Sequence, residues 1–380
     1  MACAAVCKVH AISMKEDERG FFSPHVDDSI CVGCGQCVKT CPGNAGHKKD
    51  DADPDVHVAW SKDKNIRKKS SSGGIFGLLA REIISRGGIV YGVRYTDKFS
   101  TEHVPVTCIE DLPAIMQSKY VQSDMNGCYS DVKKHLTDGK QVLFSGTPCQ
   151  VHALKLFLGK EYDNLYTVDL ICHGVPPYKV FLRYLNEISG NNISLISGIN
   201  LRHKKPGWTH FSVRIDYKNG ISCIRPSGFD SYFSLFVFNY ILRPSCYSCL
   251  YTSVNRVGDI TLGDFWGYLP NNFKMRGFNG GCSCAMINNE KGQKLFNLVV
   301  NKIISEKKSI NNALRANQSL SKPFSPPPDK EDLWKDFLSG VSINALYFKY
   351  ITKPYKIPKL YKLRMLYRTY KWMLKRLIKR

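Results

Sequence analysis

The stretch Gln141-Val-Leu-Phe-Ser-Gly-Thr-Pro-Cys149-Gln-Val-His-Ala-Leu-Lys-Leu-Phe-Leu158 changes its hydrophobic period at a single point. Gln141 to Phe144 reads as a short apolar strand, and Val151 to Leu158 as a helical run. Between them, Thr147 is a good helix cap, and Pro148 fits the first helical position, where a missing N–H costs nothing. Cys149 then falls in the first turn, where the helix dipole favours a thiolate. A strand that runs straight into a helix is the building block of α/β proteins.

The same alternation extends outward on both sides. Ile75 to Ser85 has apolar residues at helical spacing, Gly88 to Tyr95 and Tyr166 to Ile171 read as strands, and Tyr178 to Ile188 as a helix. This order predicts an α/β core around a mostly parallel sheet, covered on both faces. His210 to Tyr217 and Ile221 to Ile224, joined through Asn219-Gly220, predict an antiparallel hairpin. Residues 1–47 are cysteine-rich, and 48–59 are acidic and polar and read as a linker. The α/β body is expected over 60–135 and 136–320, and 321–380 as a Pro-rich linker and a basic tail. No internal repeat stands out beyond a cysteine motif.

Composition narrows the function classes. A chain of 380 residues, 43% hydrophobic and 12% aromatic, can bury a sizeable core in two or more domains. The longest apolar run, Tyr232 to Leu242, is eleven residues and holds Ser234 and Asn239, too short and too polar to span a membrane. The first residues do not form a secretory leader, so the cytoplasm is the expected compartment. Net charge is +22, but 12 basic residues and no acid lie between Phe337 and Arg380. That leaves 42 basic against 32 acidic residues, or +10, in the body. Charge concentrated in a tail argues for a docking device rather than for nucleic acid. Fifteen cysteines without an export signal point to metal or redox chemistry, not disulfides.

Cys31-Val-Gly-Cys34-Gly-Gln-Cys37-Val-Lys-Thr-Cys41-Pro42 is a full bacterial ferredoxin-type run. Three thiolates two residues apart wrap one cubane, while the fourth points to a second cluster. Cys3-Ala-Ala-Val-Cys7 repeats the spacing of the last two cysteines of such a run. Cys7, Cys31, Cys34 and Cys37 therefore make one complete ligand set, in a small ferredoxin-like α+β domain. Cys3 and Cys41 are further candidates, half the ligands of a second cluster that has been lost or whose other half lies before the given sequence. A second constellation combines Cys149, Cys172 of Ile171-Cys-His-Gly174, and the pair Cys246 and Cys249. Cys149 and Cys172 sit at the carboxyl ends of expected parallel strands, where open sheets bind ligands. Residue types alone leave the metal open between zinc and an iron–sulfur cluster. Cys108, Cys128, Cys223, Cys282 and Cys284 are read as core. Lys68-Lys-Ser-Ser-Ser-Gly-Gly74 opens a helix with hydroxyls and glycines beside cations, which suits a pyrophosphate.

As a set, six segments resemble the beta-subunit family of coenzyme F-420 hydrogenases and dehydrogenases, which are FAD and iron–sulfur proteins. They are Arg67 to Gly74, Ser118 to Ser123, Ser145 to Gln150, Ile171 to Gly174, the Cys246/Cys249 pair and Gly258 to Trp266. The resemblance implies a [4Fe–4S] cluster on Cys149, Cys172, Cys246 and Cys249. It also implies FAD held by Ser72, Gly73 and Gly74, by Ser118, Lys119 and Tyr120, by Ser145, Gly146 and Thr147, and by His173 and Gly174. The catalytic acid is not identified by the sequence; His173 is the one candidate proton donor. Asp264, Phe265 and Trp266 are expected either to border the cofactor or to pack in the core.

The function implied is an oxidoreductase that takes electrons from a ferredoxin-like one-electron carrier through [4Fe–4S] clusters to FAD, for two-electron reduction of a small organic substrate or coenzyme F-420. The alternatives are an electron-transfer subunit with no substrate of its own, and a zinc-stabilised binding protein. In Lys359 to Arg380, apolar residues three and four apart form one stripe opposite Lys and Arg. Such a helix either packs on the body or attaches the protein to the anionic inner face of the membrane. No nucleic-acid partner is expected.

Overall fold

The computed structural model describes residues 1–46, 53–125, 127–205, 207–270 and 277–352. The basic helix expected over 359–380 and residues 48–52 of the expected linker lie outside them. The first unit holds α1 (Ala2–Val6), β1 (Ile12–Glu16), β2 (Phe22–Val26) and α2 (Gln36–Lys39). β1 and β2 pair antiparallel, with Ile12 opposite Val26. Asp17 closes their turn by accepting from the N–H groups of Arg19 and Phe21. This is the small α+β domain that the cysteine spacing predicts.

The body begins with β3 (Asp55–Ser61), α3 (Lys64–Lys69), α4 (Ile75–Ser85), β4 (Ile89–Tyr95), β5 (Thr101–Val106), α5 (Leu112–Ile115), β6 (Ser123–Asp124) and α6 (Cys128–Thr137). It continues through β7 (Val142–Gly146), α7 (Pro148–Leu158), β8 (Leu165–Leu170), α8 (Tyr178–Ser189), β9 (Ile196–His203), β10 (Ser212–Tyr217), β11 (Ser222–Pro226) and α9 (Ser231–Val237). After these come β12 (Ile260–Asp264), β13 (Ser283–Ile287), α10 (Glu290–Asn297), β14 (Ile303–Lys308), α11 (Ile310–Ala316), α12 (Lys330–Leu338) and α13 (Ile343–Leu346).

Nine strands form one sheet in the order β14-β3-β13-β12-β8-β7-β4-β5-β6. The α/β fold is as expected, with the parallel run in the middle, where β12, β8, β7 and β4 lie side by side. Antiparallel pairs extend it through β13, β3 and β14 on one side and β5 on the other. Alternation along β7 explains why both faces are covered. Leu143 packs with Leu79 and Ile83 of α4, whereas Val142 and Phe144 pack with Val151 and Leu154 of α7. Each such side chain contributes about 1.5–3 kcal/mol by leaving water. The expected hairpin is present as β10 and β11, and β9 joins it to make a separate three-stranded sheet.

Two boundaries differ from expectation. The stretch 48–59 is not linker throughout, because β3 starts at Asp55 and lies inside the large sheet between β14 and β13. Val56, Val58 and Trp60 are buried there. The aspartates disguise this strand: Asp55 is held by His57 Nε2 at 3.0 Å and by Lys307 at 2.8 Å, so its charge is compensated. Nor does the body end at 320. Leu333, Trp334 and Phe337 of α12 and Ile343 and Leu346 of α13 are buried in the same cluster as Phe181 and Tyr232. Their apolar face is short and is interleaved with the charged residues that made the segment resemble a tail.

The cysteine-rich unit is fastened to this body. Phe21 meets Trp334 edge-on with ring centres 5.9 Å apart. Arg243 donates to Phe22 O at 2.7 Å, Lys179 to Glu18 O at 2.9 Å, and the Tyr251 hydroxyl to Pro42 O at 2.9 Å.

Candidate functional site

The carboxyl ends of β7, β8 and β12 open into one cavity of about 1220 Å³. Ser72, Gly74, Ser118, Lys119, Tyr120, Ser145, Gly146, Thr147, His173 and Gly174 all line it, and so does Cys172. Ten of the eleven residues expected to hold a flavin are thus brought to one space. Gly73 stands behind the wall and has a different task. A Cβ there would lie 2.4 Å from Ala59 O and 2.8 Å from Ser283 N, so only glycine lets the loop press against β3 and β13. The Gly73 N–H donates to Ser283 Oγ at 3.0 Å. Lys204 Nζ donates to Ser72 O and Gly280 O at 2.9 Å each, and Arg67 Nη2 to Gly281 O at 2.6 Å. The loop therefore reaches the start of α4 rigidly held, with Gly74 in a left-handed conformation as its cap.

The turn after β7 is fixed by a hydrogen-bond chain whose direction can be worked out. Thr147 and Gln150 form a capping box, and the Gln150 amide nitrogen donates to Ser123 Oγ at 2.9 Å. Ser123 lies 3.0 Å from His103 Nδ1, and His103 Nε2 lies 3.1 Å from Ser145 O. A carbonyl only accepts, so Nε2 carries the proton and Nδ1 accepts from Ser123. Burial pushes His103 down to about 4, which keeps that tautomer neutral. Lys119 sits on the opposite wall with its ammonium donating to Gln117 O at 2.9 Å. Burial alone pushes it down to about 7. A lysine desolvated in this way gains most from an anion entering the cavity.

The four thiols of the second constellation lie near enough to feel one another's charge, and of them Cys172 lines the cavity. Burial raises Cys172 well above the ordinary thiol range, and the charges of Cys246, Cys149 and Cys249 raise it further. Cys246 is pushed up to about 12 by burial, with Cys149 and Cys249 adding to it. Burial also raises Cys149, although the residue itself is exposed and its thiol receives hydrogen bonds from Thr147 and Gln150. The dipole effect expected at Cys149 is therefore outweighed by desolvation. The N–H groups of Gly174 and Val175 point at the sulfurs of Cys172 and Cys246. Amides aimed at sulfur favour a charged, metal-bound thiolate. Among the described residues, no three His, Cys, Asp or Glu side chains stand close enough to hold a single metal ion. Tetrahedral zinc needs its sulfurs about 3.8 Å apart, whereas a cubane separates its ligands further. Four thiols are the donor set that either an iron–sulfur cube or zinc takes.

A buried ion pair holds these thiols together. Arg256 Nη2 lies 3.2 Å from Asp169 Oδ1, and neither side chain is more than 2% exposed. Arg256 also donates to Tyr251 O, Ser253 O and Leu170 O, while Asp169 Oδ2 accepts from the N–H groups of Val257 and Gly258. The loop that carries Cys246 and Cys249 is thereby clamped to β8, whose end carries Cys172.

In the N-terminal unit, Cys31 and Cys34 are exposed, and Cys7 and Cys37 are partly buried. Gly33 and Gly35 both have left-handed backbones, so this run curls back on itself. The Ala11 N–H donates to the Cys7 sulfur at 3.3 Å. Cys3 and Cys41 face the body instead. Burial raises the phenols of Tyr129 and Tyr251, the charge of Cys149 adds to both, and Cys3 adds to the first and Cys41 to the second. Cys128, Cys282 and Cys284 are buried core residues, as read from the sequence. His173 packs against Phe324 with ring centres 4.0 Å apart, and burial pushes it down to about 4. It is a neutral imidazole near pH 7, which weakens its candidacy as a charged acid.

Sequence reasoning missed Arg202. It is 5% exposed, pairs with Asp264 at 2.8 Å, and lines the cavity beside Trp266. Its signal was present: an arginine follows Ile199 and Leu201 within an apolar strand. Arg67 and Lys204 left no such trace as clamps, because carbonyls far along the chain, Gly280 O and Gly281 O among them, are their partners.

Residues 139–313 match the family model for the C-terminal region of the beta chain of coenzyme F420 hydrogenase/dehydrogenase, and residues 1–45 match that of the 4Fe-4S dicluster domain. Over residues 139–313 the chain is similar to that beta-subunit family. The Ser72–Gly74 and Ser118–Tyr120 loops lie before the matched segment and join it only in the fold. A chain in the xenon-derivatised F420-reducing [NiFe] hydrogenase complex from Methanosarcina barkeri is similar, with a TM-score of 0.49 and 17% identity, over 77% of this chain and 97% of that one. No curated protein matches. A 4Fe-4S domain joined to a segment similar to that beta subunit supports an oxidoreductase-related, electron-transfer role with a 4Fe-4S cluster. Among the described residues, no helix is long and apolar enough to cross a membrane.

Asp169→Asn should leave Arg256 buried without its counter-charge and cost about 3–5 kcal/mol. The check is a denaturant titration; an unchanged midpoint would show that the pair does not clamp the loop.

Proposed function

We propose that this chain passes single electrons from a ferredoxin-like carrier, through the N-terminal cluster and a second [4Fe–4S] cluster on Cys149, Cys172, Cys246 and Cys249, to FAD in the cavity. The observation that supports this reading is that Cys172, which feels the charges of Cys246, Cys149 and Cys249, lines one cavity with Ser72, Lys119, Ser145 and His173. When bound, the clusters would supply one-electron transfer and the flavin would gather electrons in pairs for a two-electron reduction. The substrate is a small organic molecule or coenzyme F-420.

The chain's own residues would divide the work. Cys7, Cys31, Cys34 and Cys37 would hold the outer cluster at the exposed end of the N-terminal unit, where a carrier can dock. Tyr251, which donates to Pro42 O and lies 2.7 Å from His152 Nδ1, ties that unit to the helix bearing Cys149. Ser72, Gly74 and Lys119 would receive the flavin's phosphates, with Gly73 holding their loop in place. The Ser145–Thr147 turn, kept rigid by His103, would present backbone groups to the flavin. Cys172 and His173 are consecutive residues, so the thiol end and the cofactor wall share one backbone. The basic tail would rest on an anionic membrane, a reading supported by its Lys/Arg stripe alone.

Protein purified without oxygen should contain FAD and more than one cubane's worth of iron. The double variant Cys246→Ser/Cys249→Ser should lose about four iron atoms and keep those of the N-terminal unit; equal iron in both proteins would overturn the second cluster. A further outcome concerns pH. An anion raises the pKa of the Lys119 it pairs with, so FAD affinity should be flat below about pH 7 and weaken as pH rises above it. Lys119→Met should weaken binding at pH 6 and flatten the profile, as read by flavin fluorescence. A profile unchanged by the substitution would remove Lys119 from the site.

A further inference from the structure

Arg202 lines the cavity and carries an unused hydrogen-bonding edge. One side of its guanidinium is engaged: Nη1 donates to Asp264 Oδ2 at 2.8 Å and to the Tyr120 hydroxyl at 3.2 Å. The other side is not, since Nε and Nη2 are buried with no hydrogen-bond partner. Leaving two such N–H groups unpaired is costly, and they cannot turn elsewhere. The guanidinium lies over Phe211, 4.2 Å from its ring centre, and 5.1 Å from that of Trp266. Trp266 in turn stacks on Trp208, whose indole N–H donates to Asp264 Oδ1 at 2.8 Å. The fork is therefore fixed in plane and direction before any ligand arrives.

The Nε/Nη2 edge of an arginine matches two acceptor oxygens lying side by side in one plane. Charge narrows the choice of ligand. Of the described residues lining the cavity, Asp264 is the single acid, and Arg202 already neutralises it. Lys119, Lys205 and Arg225 also line it. Lys205 and Arg225 are exposed, on the same three-stranded-sheet side as Arg202. The loops proposed for the flavin's phosphates account for Lys119 and leave this second cationic side free. We propose that Arg202 is the receptor for an organic carboxylate, so that the substrate is a flat, carboxylate-bearing molecule drawn in past Lys205 and Arg225 and gripped edge-on between Phe211 and Trp266. This inference rests on the reading of the cavity as a flavin site.

Benzoate is a suitable probe, because it joins a planar carboxylate to a ring that the aromatic walls can cover. Titrated into flavin- and cluster-loaded protein without oxygen, it should saturably change both the flavin absorption band and tryptophan emission. Benzamide, with one acceptor and no charge, should bind at least about tenfold more weakly. Arg202→Lys keeps a cation for Asp264 but has no fork, and should weaken benzoate by about tenfold or more at unchanged flavin content. Arg202→Met/Asp264→Asn removes both charges together, guards against a folding defect from an orphaned aspartate, and should weaken benzoate likewise. No benzoate response in the parent protein, or an affinity in both variants equal to the parent's, overturns the proposal. Loss of flavin from both variants would overturn it too, since the fork would then serve the flavin's own acceptor edge. If the parent protein holds no flavin, the flavin reading fails by itself, and tryptophan emission still decides whether Arg202 binds benzoate.

Discussion

Asp169 closes β8 as a carboxylate with no solvent exposure, and Arg256 reaches it from a loop 87 residues further along the chain. Burying two charges is expensive, and the pair is tolerable because every remaining group is used: the carboxylate takes two backbone N–H groups, and the guanidinium serves three carbonyls. The result is geometric. β8 delivers Cys172, the clamped loop delivers Cys246 and Cys249, and the parallel neighbour β7 delivers Cys149 at the same end of the sheet. Without the clamp, the CxxC pair would belong to an untethered loop, and four thiols would not share one volume.

The cavity follows the same logic on a larger scale. Its floor is the end of a parallel sheet, where strands stop and loops must diverge. One wall is the Ser72–Gly74 loop, pressed onto β3 and β13 through Gly73. The other is the three-stranded sheet, which contributes Arg202 together with the exposed Lys205 and Arg225. The two walls differ in chemistry, with hydroxyls and backbone groups on one and fixed cations and aromatic faces on the other. A cavity so divided suits two different ligands meeting at one place.

Much of this was legible in the sequence, and the reason is local. The strand–turn–helix at Gln141–Leu158, the capping box at Thr147 and the ferredoxin spacing at Cys31–Cys41 are each written within a few residues. Cys149 and Cys172 share one end of the sheet because the parallel strands β7 and β8 end on the same side. What stayed hidden depends on distant partners. β3 was masked by aspartates that His57 and Lys307 compensate, and α12 by surrounding charge. Arg202 looked like one basic residue among many until its burial against Asp264, Phe211 and Trp266 was visible.

The central proposal is that four cysteines from three separate segments hold one iron–sulfur cluster beside the cavity. The most direct measurement is anomalous diffraction at the iron edge from crystals grown without oxygen. A compact iron peak bounded by the sulfurs of Cys149, Cys172, Cys246 and Cys249, in addition to iron at Cys7, Cys31, Cys34 and Cys37, is the predicted result. Iron confined to the N-terminal unit, or a zinc-edge peak among the four body thiols, would contradict the account.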